Sequence, residues 1–141
     1  MSMPSTLDAL CGPSGPLQPE PPDAAEFAGL VKSGVTRLVD AERSENALES
    51  RFDLAYNAAH ALCLAALRHA GYRSSKRYIV FQVLPHTLGL GPEVWRVLDR
   101  AHNERNRSEY EGDLTVDDRL LADVIKACHS VLTAVRRLPP L

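Results

Sequence analysis

The sequence predicts an all-α fold, an up-and-down bundle of four to five helices. Apolar side chains recur at three- and four-residue steps through most of residues 23–137, the spacing of one buried helix face. Glycine and proline fall mostly between those stretches rather than within them, apart from Gly29, Gly34 and Pro85. Only Tyr78-Ile79-Val80-Phe81 reads as β-like, and it is short. With 141 residues and 45% hydrophobic content, the chain can bury one sizeable core.

Residues 1–22 hold most of the chain's prolines, together with Gly12 and Gly15. Proline lacks the backbone donor that a helix or an interior strand requires, so this segment reads as a disordered, Pro-rich tail. The folded domain is expected over residues 23–138. Asp23 is a good N-cap, with Glu26 placed to complete a capping box. Phe27, Leu30, Val31, Val35 and Leu38 then mark a first helix to about residue 43, with Gly34 a weak point. Ser44 or Asn46 can cap the second helix. Its face Leu48, Phe52, Ala55, Tyr56, Ala59, Leu62, Cys63, Ala66 runs on to a stop at Gly71. Its alanines admit close neighbours, which makes it the central helix. A third helix is expected over residues 76–88, shortened or kinked by Pro85. After the turn at Gly89-Leu90-Gly91, Pro92 suits the first turn of a fourth helix that ends at Gly112. Thr115 or Asp117 opens the last helix, whose face is Leu121, Val124, Ile125, Cys128, Leu132 and Val135. Arg136 and Arg137 complement its C-terminal dipole, and Pro139-Pro140 ends it.

A formal net charge of −2 does not describe a polybasic nucleic-acid binder. Cys11, Cys63 and Cys128 show neither CxxC spacing nor an even count, so neither a disulfide framework nor a zinc knuckle is expected. No run of 18 apolar residues and no basic leader followed by an apolar core occurs. The expectation is a reduced cytoplasmic protein without a membrane segment. No Glu-x-x-His pair is present, and the five histidines share no ligand spacing, so no metal and no cofactor is expected. A phosphate-binding glycine loop and a nucleophile triad are likewise missing.

The run Arg105-Asn106-Arg107-Ser108-Glu109-Tyr110 stands out. Arg105 falls on the stripe Val94, Leu98, Ala101, Arg105, Ser108, which is otherwise apolar or small. A guanidinium stays charged at ordinary pH, so a place near a core face asks for an anion or hydrogen-bond partners. Arg100, His102, Asn103 and Arg107 add to a polar cluster on the same helix. Arg105 and Tyr110 point about 140° apart on an ideal helix, so they converge only across a groove or between two copies of the chain.

Residues 51–111 resemble a HEPN domain (higher eukaryotes and prokaryotes nucleotide-binding). The resemblance is carried by the Ala-rich stretch Arg51-Phe-Asp-Leu-Ala-Tyr-Asn-Ala-Ala-His60 and by Arg105-Asn106 followed by Tyr110. The family's signature is an Arg, usually a polar residue next, and a His after four to six intervening residues. Here Tyr110 stands in place of that His, with three residues between it and Asn106. The stretches around Phe81-Gln-Val-Leu-Pro-His-Thr-Leu88 and Pro92-Glu-Val-Trp95 resemble an actinobacterial-type branch that carries Tyr there. The resemblance implies a helical homodimer with its motifs in a shared cleft. It implies RNA or nucleotide as ligand, metal-independent endoribonuclease activity in many members, and a nucleotidyltransferase antitoxin as partner in several toxin–antitoxin or defence systems. The implied catalytic residues are Arg105, Asn106 and Tyr110, with His102, Arg107 and Arg100 contributing to nucleotide or RNA binding.

The tyrosine matters chemically. An imidazole titrates near pH 6.5 and a phenol near 10, so an unshifted Tyr110 donates a hydrogen bond but is a poor base. His102, one turn before Arg105, is the candidate to stand in as proton-transfer group. The alternative from another class is a non-catalytic helical interaction or dimerisation module, with Arg105 bracing the bundle.

Overall fold

The computed structural model describes residues 6–112 and 116–141; the side chains of Thr6 and of residues 109–111 are outside the description. Its elements are α1 (Thr6–Ala9), β1 (Leu17–Pro19), α2 (Ala24–Ala41), α3 (Leu48–His69), β2 (Tyr72–Ser74), α4 (Ile79–Gln82), α5 (Leu84–Thr87), α6 (Pro92–Glu111) and α7 (Asp118–Arg136). Four long helices carry the fold, and α3 is its axis, packing on α2, α7 and α6. Phe52, Tyr56, Leu62, Cys63 and Leu67 of α3 are buried along with seven of its other residues, alanines among them, on more than one face. A helix buried on several sides is the one other helices pack around. Small side chains let those neighbours approach: a Cβ added at Gly34 of α2 would lie 2.6 Å from Leu62 Cγ. Gly34 is therefore a contact point between α2 and α3 as well as a weak helix former.

Helix ends follow local chemistry in most places. Asp23 caps α2, its Oδ1 accepting from the backbone of Ala25 at 2.9 Å. Asp117 caps α7 by accepting from Leu120 at 2.7 Å. Gly112 closes α6 in the left-handed region at φ 71°. Three expectations differ. Glu26 does not return to Asp23 but pairs with Arg68 and Arg73. Ala47, with no side-chain cap, begins α3, while Asn46 donates to the Asp40 carbonyl. The single helix expected over residues 76–88 is two short ones divided at Val83. Pro85 causes that break, having no N–H for the Phe81 carbonyl and a ring that crowds it.

The largest difference concerns residues 7–22, expected to lack structure. They form a strap over the end of α3: β1 pairs antiparallel with β2 in the register Leu17↔Ser74 and Pro19↔Tyr72. Leu17 is fully buried and Leu7 nearly so, both in the same core as the long helices. Proline removes donors but keeps its carbonyl, and the strap uses this. The Pro16 carbonyl accepts from Ser75, and the Glu20 and Pro21 carbonyls accept from Arg68. Arg68 is 2% exposed and supplies the donors that the prolines lack. Its guanidinium also bonds the Tyr72 carbonyl and the carboxylates of Glu26 and Glu20. The two-stranded ribbon is thus a small addition to a predominantly helical molecule.

Cys63 and Cys128 are buried free thiols, packed as small hydrophobes; burial pushes Cys63 far up and Cys128 to about 12. Among the described residues no helix is long and apolar enough to cross a membrane.

Candidate functional site

Helix α6 delivers Arg105 to α3. Val94, Leu98 and Ala101 of the predicted stripe are buried, which fixes the rotation of α6 and aims the next positions at α3 one turn on. The Arg105 side chain is 27% exposed: its Nε lies 3.3 Å from Asp53 Oδ1, and its guanidinium sits 4.9 Å from the centroid of the Tyr56 ring. Asp53 is itself 59% exposed, so this ion pair is open to water and worth little as a brace. The ring contact adds the attraction of a cation for a π face. Arg105 is neither sealed in the core nor free of protein contacts.

A second cation shares the ring. Arg77, exposed in the loop after β2, lies 5.7 Å from the Tyr56 centroid and donates weakly to Asn57 Oδ1 at 3.4 Å. His60, one turn past Tyr56, feels the cluster: burial first, then Arg77, His102 and Arg105, push its imidazole down from 6.5 to about 4. It is neutral at physiological pH, so among the described residues the local charge is set by two arginines against the carboxylate of Asp53.

Beneath Arg105, His102 is 9% exposed. Tyr56 Oη lies 2.9 Å from its Nδ1, and Asn106 Nδ2 lies 2.9 Å from its Nε2. If Nε2 accepts from the Asn106 amide, Nδ1 is left to donate to Tyr56 Oη. Both ring nitrogens are engaged, and Phe81 and Tyr78 flank the ring at 6.3 and 6.1 Å. His102 therefore orients Tyr56 and Asn106 in this geometry and is not poised to collect a proton from a substrate.

The structure thus brings together Arg105, Asn106 and His102 among the residues singled out by sequence. Arg107 is turned to Glu104, with Nη2 3.0 Å from Oε2. Arg100 is exposed on α6, about 140° around the helix from Arg105. Tyr110 belongs to α6 by its backbone, but its side chain is outside the described residues. Sequence reading passed over Asp53, Tyr56 and Arg77 as site residues. A signal for Tyr56 was present: a hydroxyl on an otherwise alanine-rich buried face needs a partner, and His102 is that partner. Among the described residues no group of three or more His, Cys, Asp or Glu side chains gathers as a metal site would require. No protein-family model, curated protein or solved structure matches the chain.

Proposed function

We propose that this chain is a HEPN-like protein that binds the phosphate of RNA or of a nucleotide, with Arg105 as the principal contact. One observation carries the reading: the partly exposed Arg105 and the exposed Arg77 both lie against the buried Tyr56 ring, and among the described residues the carboxylate paired with Arg105 is the water-exposed Asp53. A brace would be buried and neutralised, as Arg68 is. Two water-accessible guanidiniums held against one aromatic ring suit a phosphodiester. In this reading Asn106, oriented by His102, positions the phosphate, and Tyr110 donates a hydrogen bond to it. Two copies of α6 facing across a two-fold axis would double the site, and a nucleotidyltransferase antitoxin is the partner that the toxin–antitoxin setting implies.

The test is binding and cleavage of single-stranded RNA in excess chelator. Arg105→Ala loses roughly tenfold or more in affinity, the cost of one charge-assisted contact. Asp53→Asn, which removes the competing carboxylate, binds more tightly. Equal affinity in all three proteins removes the reading, and sedimentation as a monomer at assay concentrations removes the paired cleft. A second reading, a non-catalytic binding module, is favoured by the engagement of both His102 ring nitrogens. It predicts RNA that is bound but intact.

A further inference from the structure

The loop Arg73-Ser74-Ser75-Lys76-Arg77 leads from β2 into α4 along one side of α3. With His60 of α3 it lines a cavity of about 150 Å³, completed by an apolar wall from α3 and α4. Three cations, two hydroxyls and a neutral imidazole face this space, and among the described residues no carboxylate lines it. The Arg73 charge is already matched, by Glu20 at 2.6 Å and Glu26 at 2.8 Å. Lys76 and Arg77 differ: among the described residues neither makes an ion pair. Their neighbours are rings, Tyr78 at 6.0 Å from Lys76 Nζ and Tyr56 at 5.7 Å from the Arg77 guanidinium.

Two adjacent cations normally diverge into water. Here the loop that carries them is tied down. Ser75 donates its backbone N–H to the Pro16 carbonyl at 3.1 Å, the Lys76 N–H goes to Ser74 Oγ at 3.0 Å, and Ser74 is in register with buried Leu17. Loop order that precedes binding removes part of the entropic cost of capturing a ligand. The volume limits the ligand. At roughly 30 Å³ per water the cavity has room for about five, and it is half of the about 300 Å³ at which small-molecule pockets begin. That accommodates a tetrahedral oxyanion with a water or two, but no nucleobase.

We infer that this cavity is a phosphate subsite, in which Lys76 and Arg77 hold a phosphate group, free or at the end of a nucleotide, with Ser75 Oγ exchanging its 3.3 Å bond to the Pro16 carbonyl for one to the phosphate. It adjoins the Arg105 contact and shares Arg77 with it, Arg77 lying between the cavity and the Tyr56 ring that Arg105 also covers. The neutral imidazole of His60 fits this role, since an anion among these cations would draw a proton onto it.

Isothermal titration of the full chain with inorganic phosphate, AMP and adenosine tests the assignment. Phosphate binds the wild type. The double variant Lys76→Gln/Arg77→Gln loses roughly tenfold or more, the remote surface control Arg43→Gln stays within about twofold, and adenosine does not bind. AMP binding tighter than phosphate identifies a nucleotide terminus as the source, and equal binding identifies free phosphate. Both replaced side chains are exposed, so an unchanged melting temperature certifies the variant's fold, and Ser75→Ala gives an independent weakening. The assignment is overturned if phosphate fails to bind at about 10 mM. It is equally overturned if the double variant binds as the wild type does, or if Arg105→Gln alone abolishes binding, which would return the phosphate to the α6 site.

Discussion

Arg68→Met removes the clamp between the strap and α3, and its cost follows from the partners left behind. The guanidinium donates to three backbone carbonyls, those of Glu20 at 3.0 Å, Pro21 at 2.8 Å and Tyr72 at 3.2 Å. Water reaches part of this region, so each orphaned acceptor is taken at the low end of its penalty, about 1 kcal/mol. Loss of the Glu26 pair adds about 1 kcal/mol after discounting for a carboxylate that is one-third exposed. The expected destabilisation is about 4 kcal/mol, inside the about 3–5 kcal/mol typical of breaking one partner of a buried pair. For a chain of this size that lowers the melting temperature by about 15 °C. Circular dichroism at the helix band follows the transition, with Arg43→Met as the control. Arg43 is 59% exposed and, among the described residues, its ion pair is with exposed Asp40, so its loss is within about 0.5 kcal/mol. Arg68→Lys recovers little, because one ammonium cannot reach carbonyls arranged for a fork. A drop below about 4 °C in Arg68→Met would refute the view that this arginine carries the strap.

Two further expectations concern stability. Gly34→Ala places a methyl 2.6 Å from Leu62 Cγ and 2.7 Å from Cδ2, where carbon contacts need about 3.5–4.0 Å. Leu62 is fully buried, so overpacking of about 1–3 kcal/mol outweighs a helix-propensity gain of about 1 kcal/mol; a urea midpoint that is unchanged or raised contradicts the close helix contact. Stability also falls in two stages on acidification. His60, depressed in the fold from 6.5 to about 4, makes the unfolded chain the better proton acceptor, so stability is lost as pH drops through that window. Glu26 and Glu20, held below their ordinary 4.5 chiefly by hydrogen bonds from Arg73, contribute stability above that value that is lost on further acidification. His60→Gln flattens the upper stage in thermal melts, and an imidazole resonance of His60 titrating near 6.5 would disprove the burial argument.

Much of the helical framework was legible because burial repeats along a helix. The bounds of α6, the Asp117 cap, the buried face of α7 and the central place of α3 all follow from spacing, capping chemistry and alanine content. Arg105 was legible for the same reason, as a charge on an apolar stripe. The strap was not. Proline content argues correctly against helix and interior strand, but it is silent on whether proline carbonyls will meet a donor from elsewhere. That donor, Arg68, was equally hidden. Near the end of a helix an arginine reads as a complement to the dipole, and only the strap around it reveals a buried fork. The platform under Arg105 depends on Tyr56 and Arg77, far from α6 in sequence, and no periodicity links residues on different elements.

The strap also orders events during synthesis. Leu17 leaves the ribosome well before its register partner Ser74, and before the helix residue that grips the Glu20 and Pro21 carbonyls. Until α3 is complete, a nascent chain has an apolar leucine with nowhere to dock and a polypeptide stretch kept extended by its own prolines. Closure of the ribbon over the finished helix is then a late step, and residues 7–22 are among the last to settle.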